Sequence, residues 1–187
     1  VIPSVEQAIT NLKNLEVVLT ERMALLKAND CKDITAYVAI PKEKRKSADG
    51  NTGASENLSR HILVVDEAAE MFLAGGHADS GDIQIARRVL SQIARQGRSV
   101  GVHLIIATQR PDAKSLDPQV KANLTGVICF QMLNDASSIT VLGNGRATEL
   151  PAVAGRAIWK CGSEMAEVQT PYLGTDEVDQ LLEGHRK

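Results

Sequence analysis

Two aliphatic runs separated by one amphipathic stretch constrain this chain more than any other feature. The first, Ile62-Leu63-Val64-Val65, stops abruptly at Asp66-Glu67; the second, Val102 to Ala107, ends in Thr108-Gln109-Arg110-Pro111. Short runs of this composition read as buried strands of a parallel sheet. Between them, from about Gly81 to Gly97, the apolar residues Ile83, Ala86, Val89, Leu90, Ile93 and Ala94 recur at three-and-four spacing and predict a helix with one buried face. Gly97 and Gly101 are expected to break that helix. A strand–helix–strand crossover makes the two strands parallel and puts both of their ends on one edge. In open α/β sheets ligands bind at that edge. If the strands are neighbours, Asp66, Glu67, Thr108 and Gln109 lie together.

An acid pair at such an edge has a chemical use in nucleotide hydrolysis. One carboxylate orients a magnesium ion, usually through water, and the other polarises the attacking water. The plain alternative is an N-capping aspartate followed by a glutamate in a surface ion pair. A phosphate cradle, by contrast, is missing: the chain contains no G-x-x-x-x-G-K-[ST], and neither Gly75-Gly76 nor Gly143-Asn144-Gly145 is followed by Lys-Ser/Thr. Without the backbone N–H groups and lysine of that loop, tight ATP binding by these residues alone is not expected.

Elsewhere the pattern is that of an ordinary α/β chain. Ser4-Val5-Glu6-Gln7 reads as a capping box that starts a helix running to about Lys27. Its expected apolar face is Val5, Ala8, Ile9, Leu12, Leu15, Leu19, Met23 and Leu26. Ile34 to Ile40 has the β-branched content of a strand and is read as a short helix on a resemblance described below. Pro41 to Arg60 is rich in Lys, Ser, Gly and Asn and reads as a mobile loop whose Lys42, Lys44, Arg45 and Lys46 form a solvated cluster or a phosphate or partner contact. Leu116 to Ala122 predicts a short helix, Val127 to Met132 a third buried strand and Asp135 to Leu142 another helix. Ala157–Lys160 and Ala166–Gln169 read as a hairpin about Cys161-Gly162-Ser163, and Thr175 starts a last helix through Leu182. His77 with Asp79 and Asp82 is a solvated loop rather than a metal site. His103, inside a strand, reads as a hydrogen-bonded core residue.

A hydrophobic fraction of 43% suffices for a core, and an aromatic fraction of 3% makes that core aliphatic. The net charge of −2 rules out a global basic field, so any nucleic-acid contact must come from local loops or from an assembly of subunits. Three cysteines without a C-x-x-C, Cys31, Cys129 and Cys161, read as reduced thiols.

Three segments then carry a resemblance: VVDEAAEMF, ARQGRSVGVHLIIATQRP and VKANLTGVICFQM, in this order and at these gaps, resemble the FtsK/SpoIIIE family of hexameric motor ATPases. ERMALLKANDCKDITAYV is similar to the family's segment between phosphate loop and Asp-Glu strand, and GRAIWKCGSEMAEVQTPYL to the last strands of members tied to conjugative transfer and secretion. The resemblance implies an α/β, RecA-like P-loop NTPase core, incomplete here, with a largely parallel sheet flanked by helices and a terminal β-hairpin. Residues 1–187 would be the carboxyl-terminal part of that motor domain, with 41–60 as a mobile loop. It implies ATP and Mg2+ as cofactors, Asp66 on the metal, Glu67 as the catalytic base, and Thr108 and Gln109 sensing the γ-phosphate. Arg98 matches the arginine that the family presents across a subunit interface; Arg95 competes for that role, and a helix-terminal arginine near carbonyls is the plain alternative.

The implied partners are further copies of the chain in a ring, six by expectation, and double-stranded DNA. The implied location is the cytoplasmic face of a membrane, with any anchor or contact with secretion or division machinery lying in regions outside these residues. Lys121, Asn123 and Arg110 are candidates for a neighbouring subunit or a pore. Family members often carry Asp-Ser-Arg where this chain has Ala136-Ser137-Ser138, so one interfacial arginine is missing and Arg146 is a partial substitute. Two other functions stay open: a coupling ATPase of a secretion system, moving protein or DNA–protein cargo, and a non-catalytic docking module derived from an ATPase.

Overall fold

The computed structural model describes residues 5–51, 58–67, 80–109, 111 and 118–183. They form two compact units, Val1–Leu124 and Thr125–Lys187.

The first unit opens with helix α1 (Val5–Ala28), then α2 (Ile34–Ala39) and a single 3-10 turn (Lys42–Lys44). Ile34–Ala39 is a helix, as the resemblance implies, because Asp33 caps it, its carboxylate accepting the Ala36 N–H at 2.8 Å. The capping box expected at Ser4 lies outside the described residues. On α1 the buried stripe is Ile9, Leu12, Leu19, Leu25 and Leu26. Met23, expected in it, is exposed, and Arg22 is buried instead at 7% relative exposure. The stripe swings because Arg22 has partners inside, described below.

Strands β1 (His61–Val65) and β2 (Val102–Ile106) pair in parallel, from His61 opposite Val102 to Val65 opposite Ile106. Helix α3 (Ser80–Val100) makes the crossover, burying Ala86, Val89, Leu90 and Ile93 against α1 and the sheet. The expectation that Gly97 ends this helix is wrong, for α3 continues to Val100. Gly97 is glycine for closeness: a Cβ there would sit 2.3 Å from the Val102 carbonyl oxygen. The stop is Gly101, at φ +75°, the left-handed position that closes many helices. Helix α4 (Pro118–Asn123) packs on α3 and places Val120 in the same core. Residues 116 and 117, expected to begin it, lie outside the described residues.

The two strands are half-buried rather than fully buried. On the face turned away from the core, Ile62, Val64 and Ile105 are 66%, 59% and 53% exposed. Alternation of in and out along β1 is therefore real even though the residue types do not alternate.

The second unit is an antiparallel sheet. Strand β3 (Gly126–Phe130) pairs with β4 (Arg156–Cys161), and β4 with β5 (Glu164–Gln169) through a turn at Gly162, φ +60°. Parallel pairing among the described residues is thus confined to β1 and β2. The expected terminal hairpin is present, but its middle strand also takes β3 as a partner. Helix α5 (Asp135–Leu142) is capped by Asn134 and closed by Gly143 at φ +85°. Its Leu142 joins Cys129, Ala147, Leu150 and Ile158 in a second core. Ser138 is fully buried: its hydroxyl donates to the Asn144 carbonyl at 2.6 Å and accepts the Ala147 N–H at 3.1 Å. Ser138, at the place where the resemblance expects an arginine, is thus part of the core of this unit rather than an exposed contact. Helix α6 (Thr175–Glu183) follows.

The basic cluster after α2 is split. Arg45 is buried, donating to the carbonyls of Ile40 and Val38 and lying 5.0 Å over the Tyr37 ring. Its charge closes the end of α2, while Lys42, Lys44 and Lys46 face solvent. Residues 41–51 carry a 3-10 turn and a Ser47–Asn51 turn, so this half of the expected loop is structured.

Candidate nucleotide-hydrolysis edge

The parallel pairing of β1 and β2 brings their polar ends together, as the crossover predicts. Ala107 continues the ladder, its N–H donating to the Val65 carbonyl at 2.9 Å, so the two strands leave the sheet in step. Beyond that bond Glu67 reaches across. Its Oε1 accepts the Thr108 hydroxyl at 2.6 Å and its Oε2 accepts the Gln109 backbone N–H at 2.9 Å. Glu67 holds φ +52°, a region that a glutamate seldom adopts. Two charge-assisted hydrogen bonds offset that cost. Asp66, one residue earlier, is exposed at the same edge. The Gln109 side chain is exposed as well; its contribution to Glu67 is through the backbone.

Arg98 does not join this group. It lies exposed on the last turn of α3, beside the start of β2. A five-residue strand spans about 16 Å, so the length of the sheet separates Arg98 from Glu67. It stands inside the helix, not beyond the break expected at Gly97. Arg95 faces a groove of about 390 Å³ between α3 and α4, lined also by Arg87, Arg88, Ser91, Gln92 and Gln119. Arg88 is held there by a bidentate pair with Glu16 of α1. Lys121 is half-buried, and the Asn123 amide donates to the Gln119 carbonyl at 2.7 Å, a contact within its own helix. Arg110 and His77 lie outside the described residues. Arg146 is exposed in the second unit. Among the described residues no group of three or more His, Cys, Asp or Glu gathers as a metal site.

The opposite edge carries a cluster that the sequence reading missed. Arg22 donates to the Val100 carbonyl at 2.9 Å and lies 3.3 Å from His61 Nε2. One guanidinium thus closes the carboxyl end of α3 and meets the first residue of β1. Burial, and then the nearby Arg22 charge, hold the His61 pKa below its ordinary value. The signal was present: Leu19, Arg22 and Leu26 share the three-and-four spacing of the apolar stripe.

With this geometry in place, comparison with known proteins supplies a family. The model of the FtsK/SpoIIIE family matches residues 1–113. The DNA translocase FtsK of Bacillus cereus is 27% identical over 184 residues, covering 98% of this chain and 22% of that protein. The DNA translocase FtsK of Brucella melitensis is 29% identical over 122 residues, covering 65% of this chain and 14% of that protein. The chain therefore spans only a small part of these relatives. Among solved structures, the monomer form of the pCW3 conjugation coupling protein TcpA with ATPγS superposes with a TM-score of 0.83 at 29% identity, over 98% of this chain and 50% of that one. The cytoplasmic domain of the Thermomonospora curvata type VII secretion ATPase EccC shares the fold, with a TM-score of 0.66 at 22% identity over 94% of this chain and 19% of that one. A family match over more than half the chain, with an acid pair and a Thr-Gln pair meeting at one sheet edge, places this α/β chain in the FtsK/SpoIIIE family.

Proposed function

We propose that residues 1–187 are the carboxyl-terminal part of a RecA-like motor ATPase domain whose parent protein drives double-stranded DNA through a ring, with six subunits expected. The observation that carries this reading is Glu67 held by both Thr108 and Gln109, because it assembles the hydrolytic half of an ATP site from two strand ends.

The donor set fits the cofactors to the extent that this chain contributes to them. Mg2+ in nucleotide sites takes one or two carboxylates plus waters and substrate phosphates, and exposed Asp66 supplies such a carboxylate. Bound Mg2+ with ATP would supply charge neutralisation at the transferring phosphoryl group. Glu67 orients and polarises the attacking water. Thr108 and Gln109 report the state of the γ-phosphate position. The phosphate cradle itself would come from outside these residues, since the chain has no G-x-x-x-x-G-K-[ST].

Arg98, a sheet's length from Glu67, would serve the pocket of a neighbouring subunit, its fork gripping two phosphate oxygens there. The ring's hold on DNA would fall on phosphates, making it sequence-tolerant and salt-sensitive. No described helix is long and apolar enough to cross a membrane; a cytoplasmic-face location with an anchor elsewhere in the parent is part of this reading.

The likeness to TcpA at a TM-score of 0.83 favours conjugative transfer as the setting of a DNA motor; the second version has the same motor coupled to a secretion channel and moving protein. A docking module derived from an ATPase is disfavoured by the intact Glu67–Thr108–Gln109 geometry. The test is ATP turnover by the parent protein with and without duplex DNA. Stimulation by DNA is expected, with Glu67→Gln lowering turnover about a hundredfold or more, the usual contribution of a positioned base. Indifference to DNA with stimulation by an exported protein would select the second version, and unchanged turnover in Glu67→Gln would end both.

A further inference from the structure

Both oxygens of Glu67 are occupied, but their donors differ. The Gln109 N–H that holds Oε2 belongs to backbone anchored two residues earlier by the Ala107–Val65 bond. The Thr108 hydroxyl that holds Oε1 sits on a rotatable side chain and carries a single proton. One proton serves one acceptor. A phosphate oxygen arriving at this edge therefore competes with Glu67 Oε1 for the same donor. The left-handed backbone of Glu67 shows a residue kept in place by these contacts rather than by local preference.

We propose that Thr108 is a two-position latch on Glu67. With no phosphate at the edge, the hydroxyl clasps the carboxylate against the end of β2. With a phosphate present, the hydroxyl turns to a phosphate oxygen, and Glu67 keeps the Gln109 N–H on Oε2 while Oε1 gives up the clasp and turns towards water. This rests on Glu67 being the base. It goes beyond sensing, since a sensor only adds a contact to the phosphate, whereas a latch gives up one contact to make the other.

That exchange has a thermodynamic signature independent of turnover. The experiment measures binding of Mg·ATPγS to the parent protein by calorimetry in a double-mutant cycle of Thr108→Val and Glu67→Ala. If the hydroxyl merely changes acceptors, Thr108→Val alone shifts Kd less than about threefold, because the lost phosphate contact is offset by the absent clasp. In the Glu67→Ala background there is no clasp to give up, and the same change weakens binding about tenfold, the usual effect of one hydrogen bond to a charged group. Thr108→Ser, which keeps the hydroxyl, should match the parent residue in both backgrounds. Equal weakening by Thr108→Val in both backgrounds, or a serine variant that behaves like valine, overturns the latch. Turnover of Glu67→Ala in the same preparations separates the two readings: retained turnover removes the base assignment, while collapsed turnover with an additive cycle removes the latch alone.

Discussion

The two edges of the β1–β2 sheet are built from similar polar side chains and put them to opposite uses. At the edge where the strands begin, Arg22 is buried and directed at the Val100 carbonyl and His61, with Gly97 letting α3 press against β2. At the edge where the strands end, Asp66 and Gln109 are exposed and Glu67 is held by two donors in an uncommon backbone conformation. One edge spends its hydrogen bonds on closing a helix end; the other keeps its carboxylates at the surface, where a ligand can reach them. Chain direction explains the asymmetry. A parallel crossover returns the carboxyl end of its helix to the starting edge, so the carbonyls there must be closed, whereas open α/β sheets take their ligands at the edge where the strands end.

The sharpest way to break this comparison is at the sealed edge. Gly97→Ala would gain about 1 kcal/mol of helix propensity. That gain is overwhelmed, since the new Cβ would lie 2.3 Å from the Val102 carbonyl oxygen and 3.2 Å from Ile93 Cγ2. Backbone cannot yield as a flexible side chain would, and we expect a net loss of about 3 kcal/mol in the first unit, seen as an earlier urea transition. At the open edge the matching change, Gln109→Ala, should stay within about 0.5 kcal/mol, because the side chain is exposed and its backbone N–H is untouched. Equal losses at the two positions would dissolve the distinction.

Arg22→Met sharpens it further. The substitution keeps the apolar stem and leaves the Val100 carbonyl without this donor at the end of α3. A lost hydrogen bond from a charged group costs about 2 kcal/mol, reduced by relief of a buried charge. The expected loss is between 1 and 2 kcal/mol, roughly, by the same urea measurement.

How far the sequence foretold this follows from which periodicity each residue obeys. The crossover and the meeting of Glu67 with Thr108 and Gln109 were readable, because two aliphatic runs around one amphipathic helix admit one parallel arrangement. Arg22 and Met23 were not. Residue type assigned the methionine to the core, but the stripe of α1 shifts by one residue to admit an arginine whose partners lie 39 and 78 positions away. Gly97 was misread for a similar reason. A glycine late in a helix has two meanings, a stop or a close approach, and only the position of β2 decides between them. The half-exposed state of β1 also escaped, as Ile62 and Val64 have the composition of a strand covered on both faces. For β3, an aliphatic run cannot reveal whether its partner runs with it or against it; that partner was β4, antiparallel.

The smallest effect concerns His61. Its pKa is depressed in the folded chain, first by burial and then by Arg22, whereas unfolded it titrates near 6.5. Above that pH both states are neutral and His61 contributes nothing to the pH dependence. As pH falls below about 6.5 the unfolded chain takes up the proton first, so stability declines through the interval and levels off once the folded state also protonates. The slope should stay well under the ceiling of about 1.4 kcal/mol per pH unit for one proton, because His61 is partly exposed and solvent screens it. His61→Gln should flatten the urea midpoint in the interval just below about pH 6.5, and Arg22→Met should narrow the window by removing the charge but not the burial. A midpoint that rises on acidification across that interval, in the unsubstituted chain, would mean that His61 gains a proton on folding. Arg22 would then not be the cation that governs this edge.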